Sequence, residues 1–275
     1  MIIEDGIEFI DIDNKKELLG YYPKIALLFE ESFNRPLDKE LWDWAYLDNP
    51  FGQPLVSIAM VEGKVVGHYA LVPMNLENDS SELSGYLSMT TMVAVDYRRH
   101  KLFQKLAERV YMKIEKSLLP TIVFGFPNDN SAPGFVKRLG WKISEDYKVV
   151  SLKPEQFESV ASFLDKHLTE DFYTLNIDSD VVKNWRISKP NQEWGYKNGF
   201  GLKEIENGYD LMHVNCAESF KKSKVNTPVN MLLEINSELE QEDIEISFPY
   251  RFGYRLFNIN KEPKLFVQMS MSDIF

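Results

Sequence analysis

The chain has 275 residues, of which 44% are hydrophobic and 27% are charged, and its formal net charge is −11. These values are typical of a folded protein with one large domain or two ordinary ones, and the acidic balance argues against a nucleic-acid surface. No apolar run reaches the ~18 residues of a membrane span and no signal-peptide pattern is present, so we expect a cytoplasmic protein.

The first part of the chain predicts a strand, two helices and a hairpin. Apolar residues alternate in the first segment and recur at helical spacing in the next two. The hairpin turns at Glu62-Gly63-Lys64. The predicted ranges are Ile7 to Ile12 for the strand, Lys15 to Phe33 for a helix interrupted at Pro23, a helix from Asp38 to before Pro50, and Leu55 to Met60 with Val65 to Val72 for the hairpin.

His68 lies among apolar residues in the second arm of the hairpin. A histidine in such a strand is more often structural than catalytic. Its ordinary pKa of about 6.5 would nevertheless suit it to accept a proton from an ammonium group. Both roles stay open, and Glu31 near the end of the first helix is the second candidate base. The histidines are scattered and Cys216 is the single cysteine, so we expect no metal site.

A cluster of cations follows the next predicted strand, which runs from Glu82 to Val95. Residues 97 to 116 contain seven lysines or arginines and two glutamates. A helix is predicted from Leu102 to Leu118, with a strand from Thr121 to Phe126 behind it. Backbone N–H groups and the helix dipole favour a phosphate group at the start of such a helix. The sequence therefore predicts an anion site at this turn, whereas Lys113 and Lys116 are expected on a solvated face.

The last part of the chain, from residue 150 onward, contains two predicted helices and five predicted strands. The segment from Trp185 to Pro190 is similar in sequence to the segment from Trp44 to Pro50, and a hairpin-like turn follows each of them. This similarity suggests an internal repeat. We therefore predict two domains, 1–149 and 150–275, with one mixed domain and a C-terminal extension as the alternative. The predicted helices are Ser151 to Leu168 and Asp178 to Ser188, and the strands are Tyr209 to Asn215, Val229 to Ile235, Ile244 to Phe248, Tyr254 to Ile259 and Leu265 to Met271.

The run from Val93 to Arg99, followed by a helix, a strand and the segment Phe135 to Trp141, resembles the acetyl-CoA-binding core of the GNAT acetyltransferase superfamily. The resemblance implies an α/β fold with a mixed sheet, and a C-terminal part that is a degenerate GNAT-like half or an extension. It implies that the strand before the turn pairs with the pantetheine arm and that the turn binds the pyrophosphate. The cofactor-binding residues that it implies are Val93, Ala94, Val95, Arg98, Arg99, His100, Lys101, Leu102, Phe103 and Asn128.

Three positions depart from the family pattern. Lys101 and Phe103 stand where the turn usually has glycine or alanine. A lysine in the right-handed helical conformation can still present its N–H, and its ammonium group can offset phosphate charge. Val136 stands where many members have a tyrosine that protonates the departing thiolate. The proton donor is therefore not identified; Tyr97 and Tyr147 are available, and a backbone N–H between Val93 and Val95 is the candidate for the carbonyl oxygen.

The resemblance implies an N-acetyltransferase that moves an acetyl group from acetyl-CoA to a primary amine of a small molecule. An amino sugar or sugar nucleotide is the narrower expectation, and the acidic chain suits a cationic or neutral small substrate. Two alternatives stay open: a transferase that uses another acyl or aminoacyl donor, and a non-catalytic module that binds acyl-CoA or a partner. We expect no nucleic-acid or membrane partner and leave a homodimer open.

Overall fold

The structure is a computed structural model, and it describes residues 2–4, 6–168, 171–235 and 244–272. Polar residues start the first two helices: the Asn14 side chain accepts a hydrogen bond from the Glu17 N–H, and Asp38 accepts from Glu40 and Leu41. The α-helices in these residues are α1 (Lys15–Phe33), α2 (Lys39–Tyr46), α3 (Leu102–Ser117), α4 (Ala132–Leu139), α5 (Phe157–His167), α6 (Asp180–Ile187) and α7 (Ala217–Lys221).

The strands of the described residues form two large sheets and one short pair. In chain order they are β1 (Ile2–Glu4), β2 (Ile7–Ile12), β3 (Leu55–Val61), β4 (Lys64–Pro73), β5 (Leu76–Glu77), β6 (Glu82–Val93), β7 (Thr121–Gly125), β8 (Lys142–Ser144), β9 (Tyr147–Leu152), β10 (Phe172–Tyr173), β11 (Trp194–Lys197), β12 (Phe200–Ile205), β13 (Gly208–Val214), β14 (Val229–Glu234), β15 (Glu245–Pro249), β16 (Phe252–Phe257) and β17 (Lys264–Leu265).

The first sheet has the strand order β1-β2-β3-β4-β6-β7-β16-β8, and β5 pairs with β6 beside it. Neighbouring strands within this sheet are antiparallel, except that β6 and β7 run parallel. Helix α3 connects these two parallel strands. The second sheet has the order β11-β12-β13-β14-β9-β15, and β10 pairs with β17. The predicted mixed α/β fold is therefore confirmed.

The two faces of the first sheet bury different helices. One face packs against α3 and α4, whose buried residues include Leu106, Val110 and Leu139. The other face packs against α1 and α2 and against residues of the C-terminal part, such as Trp185 and Met269. A third apolar cluster lies in the second sheet with α5 and α7. The C-terminal part therefore covers the α1 and α2 side of the first sheet.

Several predicted boundaries are correct and three are wrong. Helix α1 has the predicted limits but continues through Pro23, which is exposed, so the predicted interruption is wrong. The helix predicted from residue 151 begins at Phe157, because residues 147–152 form β9. The last predicted strand is also wrong: it stops at Leu265, and residues 269–271 form a 3₁₀ turn.

The pairing of β16 bears on the predicted division at residues 149 and 150. β16 belongs to the second predicted domain by sequence, yet it lies between β7 and β8 and pairs with both. One strand of the C-terminal part thus completes the first sheet. The division into 1–149 and 150–275 stays a prediction. Among the described helices, none has both the length and the apolar character needed to cross a membrane.

Candidate functional site

Strands β6 and β7 separate at one end of the first sheet. Their pairing covers Ser84 to Leu87 on β6 and Thr121 to Phe124 on β7. β6 continues to Val93, whereas β7 ends at Gly125. The gap between the diverging strands lies beside the first turn of α3 and beside α4. An extended molecule could therefore lie along the free edge of β6.

A cavity of about 580 Å³ lies at this gap. β6 contributes one wall, the 3₁₀ turn at residues 95–100 and α3 contribute the second, and α4 with the loop before it contributes the third. The lining residues are Thr91, Val93, Arg98, Phe103, Asn130, Ser131, Pro133, Gly134, Lys137 and Arg138.

Three cations line this cavity: Arg98, Lys137 and Arg138. None of the three forms an ion pair with a carboxylate of the residues that the structure describes. All three side chains are exposed to solvent, and a cation without a carboxylate partner is available to attract an anion. We therefore regard these three side chains as the anion-binding part of the cavity.

Three of the four cations of α3 are already neutralised. Each of these three forms an ion pair with a carboxylate from the first strands or the segment after β2, whereas Lys116 is exposed near the end of the helix, as the predicted solvated face requires. The pairs are Lys105 with Glu4 at 2.8 Å, Arg109 with Asp11 at 2.6 Å and Lys113 with Asp13 at 2.9 Å.

Lys101 has the left-handed conformation, with φ of 56°, and not the right-handed one considered from the sequence. This is the conformation that glycine adopts without strain, which explains why small residues are usual here. The Lys101 side chain is exposed and does not line the cavity. Phe103 does line the cavity, and its ring packs edge-to-face on the Phe135 ring with the ring centroids 5.2 Å apart. A Cβ on Gly134 would lie 3.2 Å from the Phe103 ring, so Gly134 makes room for that bulky side chain.

Some of the predicted cofactor-binding residues line the cavity and others do not. Val93, Arg98 and Phe103 line the cavity. Leu102 is fully buried, and the Ala94 N–H donates to the Val66 carbonyl at 2.9 Å and so is not available for a carbonyl oxygen of a ligand. The remaining predicted residues do not line the cavity; they are Val95, Arg99, Lys101 and Asn128, which are exposed, and His100, which is half-buried.

Asn128 lies in the loop before α4 and does not line the cavity. Its side-chain oxygen accepts hydrogen bonds from the backbone N–H groups of Asn130 and Ser131, both at 3.1 Å. These bonds form an Asx turn, in which an asparagine side chain accepts from backbone N–H groups two and three residues further on. Its contact with a cofactor stays a prediction.

The two candidate bases do not line the cavity either. His68 is fully buried on β4, where burial lowers its pKa to about 4 even though a hydrogen bond to the Thr90 carbonyl acts in the opposite direction. Glu31 is exposed on α1. Tyr147, one of the tyrosines considered as a proton donor, is buried, and burial followed by the charge of Glu234 raises its pKa far above the usual value. In the described residues no three His, Cys, Asp or Glu side chains cluster as a metal site requires.

Sequence reasoning missed the contribution of α4. Lys137 and Arg138 lie in the last turn of this helix, one turn before Gly140. The signal was present as two adjacent cations in the segment Phe135 to Trp141 that carries the resemblance. The cations of the predicted anion site lie between residues 97 and 116, and the sequence alone does not show that α3 and α4 lie on the same face of the sheet.

Comparison with known families decides the identity of the first part of the chain. A family model described as "Acetyltransferase (GNAT) domain" matches residues 19–144, a range that contains every lining residue of the cavity. Residues 19–144 belong to the GNAT acetyltransferase family. The GNAT domain thus includes the diverging strands β6 and β7 and both helices at the cavity, and family and fold together support acyl transfer. No curated protein sequence matches the chain.

Solved structures with the GNAT fold are similar to most of this chain. A GCN5-related N-acetyltransferase from Kribbella flavida matches with a TM-score of 0.58 at 11% identity, over 92% of this chain and 72% of the other. One from Anabaena variabilis matches with a TM-score of 0.57 at 12% identity, over 90% and 72%. A conserved protein of unknown function from Enterococcus faecalis, described as a probable N-acyltransferase, matches with a TM-score of 0.61 at 9% identity, also over 90% and 72%. At these identities the likeness concerns the fold alone, and it extends into the C-terminal part.

Proposed function

We propose that this chain is an N-acetyltransferase that moves an acetyl group from acetyl-CoA to a primary amine of a small molecule. The observation that supports this most is the cavity between the diverging strands, which combines the free edge of β6 with three cations that have no carboxylate partner among the described residues. Coenzyme A has an extended pantetheine arm and a diphosphate, and these two features correspond to the two parts of the cavity.

Seven of the ten lining residues have a role in this proposal. Arg98, Lys137 and Arg138 would bind the diphosphate through charged hydrogen bonds, which are the stronger kind. Thr91 and Val93 would lie along the pantetheine arm, and Phe103 with Pro133 would exclude water from it. Acetyl-CoA would supply a thioester whose carbonyl carbon a neutral amine can attack. Positioning of the two reactants is one contribution that such a site can make to the rate.

Proton transfer remains the open part of this mechanism. The new C–N bond forms as the C–S bond breaks, so the amine must lose a proton and the sulfur must gain one. The sequence predicts His68 and Glu31 as acceptors of the amine proton; neither residue lines the cavity, and this proposal assigns the role to neither of them. For the sulfur we identify no donor among the lining residues.

A cationic small amine is the proposed acceptor. The net charge of −11 raises the local concentration of cations near the protein. An amino sugar or sugar nucleotide is the narrower proposal, and it rests on resemblance alone. We also propose a cytoplasmic location, and a homodimer stays a prediction.

Release of free thiol from acetyl-CoA tests the enzymatic role. The assay uses the full chain with a panel of amino sugars, sugar nucleotides, polyamines and amino acids. Thiol release that depends on one class of amine would support the proposal. No release with any amine, although coenzyme A binds, would contradict it and support a non-catalytic module.

The non-catalytic alternative is favoured by one observation. Val136 on α4 is 46% exposed, and the described lining residues of the cavity include no tyrosine. A site that only binds acyl-CoA needs neither a base nor a proton donor. A transferase that uses another donor is the further alternative, and failure of coenzyme A to bind would favour it.

A further inference from the structure

Strand β6 contains a β-bulge beside the cavity. His68 on β4 pairs with Met92 on β6, and Ala70 pairs with Met89. One residue of β4 therefore lies opposite two residues of β6, Thr90 and Thr91. Thr90 has a φ of 55°, a conformation in which a β-branched residue is strained.

The bulge determines which residues of β6 face the cavity. Before it, Leu83 and Leu87 face the α1 and α2 side, and Tyr86 faces the α3 side. After it, Met92 faces α1 and α2 and Val93 faces α3. Side chains alternate along a strand, so without the extra residue Met92 would face α3. Thr91 and Val93 would then point away from the cavity that they line.

His68 holds the bulge from the next strand. Its Nδ1–H donates to the Thr90 carbonyl at 2.7 Å, which fixes the proton on Nδ1 because a carbonyl only accepts. His68 is paired with Ile58 on one side and Met92 on the other, and both belong to the cluster on the α1 and α2 side. It has no exposed surface, and its Nε2 has no hydrogen-bond partner among the described residues.

We propose that His68 is a positioning residue: through Nδ1 it holds the Thr90 bulge, and the bulge turns Thr91 and Val93 toward the coenzyme. That a coenzyme binds beside Thr91 and Val93 rests on the proposed function, whereas the link between His68 and the bulge does not. The geometry favours this role over that of a base, because the base would act through Nε2, which is buried on the sheet face opposite α3 and α4.

Three substitutions separate the two roles. The side-chain nitrogen of asparagine takes the place of Nδ1, that of glutamine takes the place of Nε2, and leucine replaces neither. We expect His68→Asn to bind coenzyme A as the wild type does in calorimetry. We expect His68→Gln and His68→Leu to bind coenzyme A about tenfold more weakly. The reason is that loss of the one hydrogen bond to Thr90 would displace Thr91 and Val93.

The outcomes of the binding experiment are distinct. If His68→Asn binds as weakly as His68→Gln, or if none of the three variants differs from the wild type, the proposal is wrong. If His68→Asn binds normally but loses all acetyl transfer, Nε2 is the base and the proposal is overturned. The comparison of asparagine with glutamine still decides the matter if the leucine variant does not fold.

A second measurement does not depend on coenzyme A. We expect a crystal structure of His68→Gln to show Thr90 outside the left-handed region and the pairing of residue 68 with Met92 lost. A bulge that keeps Thr90 near φ 55° would overturn the proposal. If the wild type binds no coenzyme A, the proposed function fails, and this structure alone decides the role of His68.

Discussion

Trp44 and Trp185 form a reciprocal pair between the two parts of the chain. Their rings stack with centroids 4.8 Å apart and planes 10° apart. The Trp44 indole N–H donates to the Trp185 carbonyl at 2.7 Å, and the Trp185 indole N–H donates to the Trp44 carbonyl at 3.0 Å. Each indole N–H therefore donates to a backbone carbonyl in the last turn of the partner helix, α6 for Trp44 and α2 for Trp185. Carbonyls in the last turn of a helix have no hydrogen-bond donor within that helix. An internal repeat would produce this kind of mutual contact.

We expect Trp185→Phe to destabilise the protein by about 2 kcal/mol, because it leaves the buried Trp44 carbonyl without its donor and reduces the stacked area. The free energy of unfolding in urea measures this. Val181→Ala is the control: Val181 lies on the same helix and is 63% exposed, so its change should stay within about 0.5 kcal/mol. Equal effects of the two substitutions would contradict a role of the pair in joining the two parts.

Lys101→Gly should stabilise the protein by about 1 kcal/mol. The left-handed conformation strains a lysine and does not strain glycine, and this relief exceeds the entropy that glycine loses on folding. Lys116→Gly is the matched control, since Lys116 lies inside α3, where glycine costs about 0.5–1 kcal/mol. Urea unfolding of both variants measures the two effects. A loss of stability in Lys101→Gly would show that the strain is not present.

Stability should fall as the pH is lowered from about 6.5 toward 4. Burial lowers the pKa of His68 to about 4, and burial with the nearby Arg186 charge lowers that of His213 to about 3. In the unfolded chain both titrate near 6.5, so between these values the unfolded state binds more protons and is favoured by acid.

Urea unfolding at pH 7.5, 6.0 and 5.0 measures this dependence. Each buried histidine should contribute up to about 1.4 kcal/mol per pH unit below 6.5, before most carboxylates titrate. Stability that is unchanged between pH 7.5 and 5.0 would contradict the neutral buried state of both histidines.

Local sequence patterns were sufficient for elements whose signal lies within the element. The limits of α1 follow from the capping residue Asn14 and the spacing of its apolar residues, and the hairpin of β3 and β4 follows from the turn at Gly63. The interruption at Pro23 was a wrong prediction, because one missing backbone donor on the exposed side of a helix does not end it.

Features that depend on distant contacts could not be predicted. The place of β16 beside β7 is set by pairing across more than a hundred residues, which periodicity does not encode. The left-handed Lys101 contradicts local preference and is imposed by the surrounding fold. The contribution of Lys137 and Arg138 likewise required knowing that α4 lies beside the gap between β6 and β7.

Calorimetric titration with coenzyme A at low salt tests the central claim most directly. Arg98→Ala combined with Lys137→Ala should weaken binding by a few kcal/mol, given about 1.5–3 kcal/mol for each charged hydrogen bond. The control is Lys105→Ala with Lys113→Ala, which removes the same charge from cations already paired with Glu4 and Asp13 and should leave the affinity nearly unchanged. Equal affinities of both double variants and the wild type, or no binding by the wild type, would contradict the assignment of this cavity to the coenzyme.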